Sequence, residues 1–447
     1  VVEPIISVSG LRGVVGDTLT LEVAIRYAAA FAASVPDGTM LVSNDGRSSG
    51  FMLSRAVQSG LEAVGRPTVN VGIAATPTVG ILVKAYKAVG AIQVTASHNP
   101  PEYNGLKLFS SEGRIIPGES GQKVLERYRQ DSPSWVGHEL LGSCGVCEDS
   151  TSAHLEAILK TVDVDRIRKC KFKVLLDSNH GAGSIVGKRL LDELRCSTTI
   201  LGQEPDGKID HPAEPTAKNL ATVLAAVPKY RSDVGFCQDP DADRLAVIDA
   251  SGRYVGEEYT LAMCIDHILR QRTGPIVVNC STSNMSRDLA AKYGVPFYRS
   301  AVGEPNVVDM MLSKGAIFGG EGNGGPIDPR VGLVRDSFVG MAQLLDAMAA
   351  RRMTIGKLAD ELPRYEIVKK KVAIAREAVS EAFDALSRYF SDAKPDHLDG
   401  LRLDWNDAWL LVRPSNTEPI VRAVAEASTA AKAEQLCQDA VNVLKNL

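Results

Sequence analysis

Four times along this 447-residue chain, a short apolar segment of strand-like composition runs directly into a polar loop. Residues 91–95 enter Ser97-His98-Asn99-Pro100, and a segment ending at Phe236 enters Asp239-Pro240-Asp241-Ala242-Asp243-Arg244. Residues 316–318 enter the glycine-rich run 319–325, and residues 408–412 enter Arg413-Pro414-Ser415-Asn416-Thr417-Glu418-Pro419. Between them, apolar segments alternate with Ala-rich amphipathic stretches punctuated by Gly and Pro, the pattern of α/β layering. Strands are expected at 40–42, 68–71, 172–177, 275–279 and 401–403. Helices are expected at 53–63, 153–159, 185–194, 260–270, 286–293 and 432–443. A Pro-, Gly- and Ser-rich stretch at 131–152 marks a first boundary, and the basic run 369–371 marks the approach to the last unit. The units are therefore expected at 1–150, 151–250, 251–367 and 368–447, each lending one loop to a common cleft.

This length, with 45% hydrophobic residues, supports three or four cores. The formal charge of -4, from 50 Lys plus Arg against 54 Asp plus Glu, gives no electrostatic reason to expect a nucleic-acid partner. No apolar run reaches the roughly 18 residues that suggest a membrane helix. The first twenty residues, with Glu3, Arg12 and Asp17, do not read as a secretory segment, so a cytoplasmic protein is expected. Of eight scattered cysteines, only Cys144 and Cys147 form a C-x-x-C pair. With His138 and His154 they make an irregular metal quartet, and a Gly-rich surface turn with two reduced thiols is the preferred reading.

The loops carry complementary chemistry. Ser97 beside His98 could be an acyl-transfer nucleophile, but no G-x-S-x-G elbow surrounds it. It could instead hold a phosphoryl group whose charge is offset by cations such as His98 and Lys107. Asp239, Asp241 and Asp243 alternate, so an extended segment would point all three carboxylates one way, a crowd that requires a hard cation such as magnesium. An EF-hand fails because Arg244 and Ala250 stand where Gly and Glu are needed. A phosphoaspartyl mechanism at Asp239 leaves Ser97 without a role. Gly320–Gly325 satisfies G-x-G-x-x-G, but Pro326 and Pro329 prevent an ordinary helix behind it. A tight loop that presents Glu321 and Asn323 to sugar hydroxyls is more economical. Arg413, Ser415, Asn416 and Thr417, with Arg422 beyond, can surround a phosphate. Arg12 and Arg47 sit in Gly/Ser turns suited to phosphate binding or to bracing the cleft, Arg335-Asp336 reads as a local charge pair, and His180 and His211 are left outside the site.

Together these four ordered motifs resemble the alpha-D-phosphohexomutase family, which includes phosphoglucomutase, phosphomannomutase and phosphoglucosamine mutase. The resemblance spans essentially the whole chain. It implies three α/β mixed-sheet domains followed by a smaller α+β C-terminal domain. It implies an isomerase of carbohydrate metabolism, a magnesium-dependent intramolecular phosphotransferase that interconverts hexose 6-phosphate and hexose 1-phosphate. A phosphoserine and a sugar 1,6-bisphosphate, activator and intermediate, would carry the transfer. Phosphomannomutase/phosphoglucomutase activity is the first expectation, phosphoglucosamine mutase the alternative, and a non-catalytic sugar-phosphate binding protein the third. The resemblance assigns Ser97 with Asp239, Asp241 and Asp243 to the metal, and Arg12, His98, Lys107 and Arg244 to the transferring phosphate, with Lys107 as a proton-transfer candidate. Glu321 and Asn323 are assigned to the sugar, and Ser415, Asn416 and Thr417 to the distal phosphate; Arg413 and Arg422 are placed beside them. Hexose phosphates are the expected partners of a monomer or homodimer, and closure by rotation of the last domain is expected. The sequence departs from the family at Ser9-Gly10-Leu11-Arg12, Asn44-Asp45-Gly46-Arg47 and the Asn323-Gly324-Gly325 ending, which leaves the sugar open.

Overall fold

In the computed structural model, which describes residues 4–7, 9–130, 132–414 and 420–446, the chain builds four sheets in succession. The first contains β1 (Ile5–Ser7), β2 (Gly10–Val14), β3 (Met40–Asn44), β4 (Thr68–Ile73), β5 (Gly90–Val94), β6 (Tyr103–Ser110) and β7 (Cys144–Val146), in the order β1-β2-β6-β5-β3-β4-β7. Strands β5, β3, β4 and β7 run parallel, and the other half is antiparallel. β3 and β5 are buried along their whole length, so neither alternates apolar with exposed polar residues.

The second sheet contains β8 (Lys173–Asp177), β9 (Ser197–Leu201), β10 (Val234–Gln238) and β11 (Leu245–Asp249), in the order β11-β10-β8-β9 with β11 antiparallel. The third repeats that plan with β12 (Ile276–Asn279), β13 (Phe297–Ser300), β14 (Phe318–Glu321) and β15 (Gly325–Ile327), ordered β13-β12-β14-β15 with β15 antiparallel. These two units share one core. Helix Ser337–Arg351 is buried from Ser337 through Ala349 and packs against helices from both. It starts where it does because the Asp336 carboxylate accepts from the Phe338 and Val339 amides, capping donors that have no intrahelical partner.

The last sheet is fully antiparallel: β16 (Glu366–Ala373), β17 (Lys394–Asp396), β18 (Leu401–Asp404), β19 (Ala408–Pro414) and β20 (Ile420–Ala427), in the order β16-β20-β19-β18-β17. Helices Val379–Tyr389 and Ala430–Lys445 complete its separate core. The architecture is thus three mixed-sheet α/β domains and a smaller α+β C-terminal domain. The last domain is seated on the third through fully buried Trp409, whose indole donates to Glu426 Oε1 at 2.7 Å. Glu426 Oε1 also accepts from the Asn284 amide at 2.9 Å. The Arg402 guanidinium lies 4.2 Å from the centre of that indole ring and donates to the Cys280 carbonyl. Among the described residues, no helix is long and apolar enough to cross a membrane.

Two expectations change here. The strand before the glycine-rich loop is Phe318–Glu321 rather than 316–318, because Gly319 and Gly320 extend the pairing with β12. The Cys144/Cys147 segment is an edge strand beside β4, not a turn. His154, a histidine of the less favoured metal quartet, is buried elsewhere, with Nε2 2.7 Å from Asp336 and Nδ1 3.0 Å from the Thr78 hydroxyl.

Candidate active site

Beyond the carboxyl end of β5, the chain turns sharply and Ser97 takes a left-handed backbone conformation, with φ of 50°. For a residue with a Cβ this costs about 1 kcal/mol or more and persists only where neighbours enforce it. The neighbours are identifiable. The Ser97 amide donates to Thr95 Oγ1 at 2.9 Å, and that hydroxyl donates to Asp45 Oδ2 at 2.7 Å. Arg47, nearly fully buried, donates to the same Asp45 oxygen and to the carbonyls of Ser97, Asn99, Pro100 and Tyr103, at 2.6 to 3.2 Å. One guanidinium therefore holds the serine loop from beneath. Arg47→Met should leave those carbonyls unpaired, lower kcat by about 10²-fold through a misplaced Ser97, and lower the melting temperature. Steady-state kinetics alongside thermal melts would check this, and an unchanged kcat would show that the loop needs no such support.

The Ser97 hydroxyl donates to Asp239 Oδ2 at 3.0 Å and lies 3.3 Å from His98 Nδ1. Burial, with help from Arg244 and Arg12, pushes His98 down to about 2, so it is neutral and not the cation that was expected. Arg12 donates to Asn99 Oδ1 at 3.0 Å; burial holds its guanidinium below the ordinary value, against the pull of Asp241.

Asp239, Asp241 and Asp243 bring one carboxylate oxygen each to within 4.8 Å of one another, all buried. The expected convergence is real, but an extended segment does not produce it. The chain makes a turn, closed by the Ala242 amide on the Asp239 carbonyl at 2.9 Å, with Ala242 left-handed at φ 56°. Thr76 donates to Asp241 Oδ2 at 2.6 Å, and Lys107 reaches Asp241 Oδ2 at 2.6 Å and Asp243 Oδ2 at 3.2 Å. Burial opposes both charges, yet each wins: Lys107 and Thr76 hold the Asp241 carboxyl well below its usual range, and Asp241 and Asp243 raise Lys107. Asp239 lacks such a partner. Burial and the two neighbouring carboxylates push it well above the usual range, with Arg244 Nε no closer than 3.9 Å. Asp241 Oδ1 and Asp243 Oδ1 are buried and meet no hydrogen-bond partner among the described residues. Orphaned hard oxygens on converging carboxylates fit a small divalent cation such as magnesium.

Arg335 joins this cluster to the glycine-rich loop. It donates to Asp243 at 2.6 Å, Glu321 at 2.7 Å and Glu304 at 2.8 Å. The pair expected between Arg335 and Asp336 does not form, because Asp336 faces the helix it caps. Glu321 Oε1 also accepts from Asn279 at 2.7 Å and from the Gly303 amide at 3.0 Å, so its carboxylate is fixed before any ligand arrives. The glycine-rich run is a hairpin turn between β14 and β15, which excludes the dinucleotide geometry. Asn323 Oδ1 is buried without a partner among the described residues.

Beside these buried groups lies one cleft of about 660 Å³ lined by His98, Arg244, Glu321, Asn323 and, from the last domain, Lys369, Lys371, Arg413 and Arg422. Arg413 and Lys371 flank Arg422 in cross-strand register, three cations abreast. Like charges placed so oppose each other unless an anion lies between them. Asp399 holds Arg413 at 2.8 Å. Ser415, Asn416 and Thr417 lie outside the described residues. Thr76, Glu304 and Asn279 carried no cue in the sequence, Asp45 stood there only as part of the Arg47 turn, and Arg335 only as half of a local charge pair; Arg47, expected to bind phosphate or to brace the cleft, here holds the serine loop. A lone arginine just ahead of a capped buried helix was the available cue for Arg335.

Family models match the chain in order: "Phosphoglucomutase/phosphomannomutase, alpha/beta/alpha domain I" at residues 5–134, domain II at 152–252, domain III at 257–365, and the C-terminal domain at 368–443. A "Probable phosphoglucosamine mutase" of Pyrococcus abyssi is 32% identical over 446 residues, covering 98% of this chain and 97% of that protein. Six further relatives at 30–33% identity carry the same description. A "Phosphoglucomutase/phosphomannomutase" of Thermococcus kodakarensis is 34% identical over the same 98% of this chain and 97% of its own. The crystal structure of a phosphoglucomutase/phosphomannomutase family protein from Burkholderia thailandensis superposes with a TM-score of 0.84 at 26% identity, covering 99% of this chain and 98% of that one.

Proposed function

Because the chain belongs to the phosphoglucomutase/phosphomannomutase family of phosphohexomutases, we propose that it interconverts glucosamine 6-phosphate and glucosamine 1-phosphate through phosphorylated Ser97 and a sugar 1,6-bisphosphate. The observation that carries the reading is the Ser97 hydroxyl, 3.0 Å from a buried three-carboxylate cluster and beside a cleft with a cationic far wall. The choice of amino sugar is supported by the descriptions of the Pyrococcus abyssi protein and its fellows. The glucose or mannose reading, supported by the Thermococcus kodakarensis protein, stands second.

In this reading the substrate's own phosphate sits on Arg413 and Arg422 with Ser415, Asn416 and Thr417. Glu321, held by Arg335 and Asn279, accepts hydrogen bonds from sugar hydroxyls, and Asn323 offers a further acceptor. The free sugar hydroxyl then approaches the phosphoryl group on Ser97. The Ser97 Oγ–phosphorus bond breaks as the sugar oxygen–phosphorus bond forms, and the hydroxyl proton is exchanged toward Ser97 Oγ. Neutral His98, with Nδ1 3.3 Å from that oxygen, is placed to hydrogen-bond it as the phosphoryl group moves, but a ring pushed down to about 2 is too weak a base to keep the proton itself. Lys107, firmly cationic between two carboxylates, is suited instead to answer charge, with Arg12 and Arg244. Magnesium on Asp239, Asp241 and Asp243, with the Ser97 oxygen, would supply Lewis-acid stabilisation of the phosphoryl charge. The bisphosphate turns end for end and returns its other phosphoryl group to Ser97.

A coupled assay with glucosamine, glucose and mannose 6-phosphates, in magnesium with a trace of the matching bisphosphate, tests the reading. The highest kcat/KM is expected for glucosamine 6-phosphate. Turnover of glucose or mannose phosphate with none of the amino sugar would select the second reading, and tight binding with no turnover of any would leave only a binding protein.

A further inference from the structure

The cleft wall carries one carboxylate that the transfer chemistry does not use. Glu258 stands in the first turn of helix Glu257–Gln271, half-buried, and lines the cleft beside Glu321 and Asn323. Its oxygens press so closely on Gly322 that a Cβ at that position would fall 2.1 Å from them; only glycine lets this carboxylate reach the sugar loop. Oε2 accepts from the Ser283 amide at 3.0 Å. Oε1 meets no donor among the described residues, and no cation forms an ion pair with the group there. The contrast with Glu321, neutralised by Arg335, is direct. Glu214 also lines the cleft but is exposed to solvent.

The surroundings deepen the deficit. The turn that donates to Glu258 also donates, through the Asn284 amide, to Glu426, whose Oε2 is fully buried and unpartnered among the described residues. A role confined to complementing the helix dipole would hold Glu258 below its ordinary value. Instead burial pushes it up to about 8, Glu426 and Glu257 adding their repulsion against the backbone bond from Ser283 and the distant charge of Lys369. A buried acid raised in this way is ready to ionise against an incoming cation. The cleft thus pairs a cationic wall with a single uncompensated carboxylate at its sugar loop, the complement of a ligand that is anionic at its phosphate and cationic on its ring.

Resting on the mutase reading above, we infer that Glu258 is the specificity residue that recognises the ammonium group at C2 of an amino-sugar phosphate, accepting its hydrogen bonds through the free Oε1. The site discriminates against glucose and mannose phosphates because a hydroxyl at C2 offers Glu258 no cation with which to pair. N-acetylation removes the cation and should remove the advantage.

The test compares wild type and Glu258→Gln in kcat/KM for glucosamine 6-phosphate and glucose 6-phosphate. The preference for the amino sugar is expected to fall at least tenfold, with Glu258→Asp restoring part of it. Independently of any variant, wild-type protein titrated calorimetrically should bind glucosamine 6-phosphate at least tenfold more tightly than N-acetylglucosamine 6-phosphate. A preference ratio unchanged by Glu258→Gln, or both substrates falling together, overturns the inference, as does equal wild-type affinity for the two titrated sugars. A wild type that transfers phosphate on glucose 6-phosphate but ignores the amino sugar sinks the role of Glu258 together with the choice of amino sugar, and leaves the mutase chemistry standing. One that turns over no hexose phosphate sinks the mutase reading itself.

Discussion

Ser97→Ala is expected to lower turnover by roughly 10³-fold or more, the scale seen when a covalent nucleophile is removed, while sugar-phosphate binding survives. The reason is local. The cleft, its cationic wall and the Glu321 network are assembled without the Ser97 hydroxyl, which makes one bond to Asp239 and one contact with His98. Losing that single hydrogen bond costs about 1 kcal/mol of stability, so the variant should fold and bind yet hold no phosphoryl group. Kinetics with calorimetric binding of a hexose phosphate separate the two effects. A phosphoaspartyl enzyme would instead keep full activity in this variant.

Asp239→Asn should move activity and stability in opposite directions. Activity in magnesium should fall by at least about 10²-fold, since one of three converging hard-oxygen ligands and the acceptor of the Ser97 hydroxyl are altered together. The metal-free fold, by contrast, should gain about 1 kcal/mol at neutral pH. Lys107 compensates Asp241 and Asp243, and Arg335 compensates Asp243 again, but Asp239 has only Arg244 at 3.9 Å. Its carboxyl is raised above the ordinary value by burial and its neighbours. Such a group stabilises the fold below its unfolded value, and that contribution is lost as pH rises through the folded one. The advantage of asparagine should therefore grow from acid toward neutral pH. Thermal melts in chelator and in magnesium would check both signs: wild type rises on adding magnesium and the variant rises little. A metal-free variant less stable than wild type would mean the carboxylate crowd is not strained.

Much of this site was legible because strand ends and loop chemistry are local. The Ser97 loop, the alternating aspartates and Arg413 each announce themselves within about ten residues, and the two prolines after the glycine run rightly ruled out a dinucleotide helix. What connects the loops was not legible. Thr76 meets Asp241 across 165 residues, Lys107 meets it across 134, and Arg335 meets Asp243 across 92. Such contacts depend on how sheets from different domains are set against each other, which local pattern does not encode. Charge states failed for the same reason. His98 looked like a cation beside a serine, but burial between two arginines makes it neutral. The aspartate spacing suggested an extended strand because alternation is shared by strands and by turns like the one closed at Ala242. Glu258 gave no cue at all, since a glutamate in a helix's first turn is what the dipole favours anywhere.

The direct measurement is to incubate the protein with magnesium and sugar 1,6-bisphosphate carrying labelled phosphate, map the label by peptide mass spectrometry, and chase it with unlabelled hexose monophosphate. The label should lie on Ser97 as an acid-stable phosphoester and pass to the sugar during the chase. Label on Asp239, or on Ser97 but immobile in the chase, would contradict transfer through this serine.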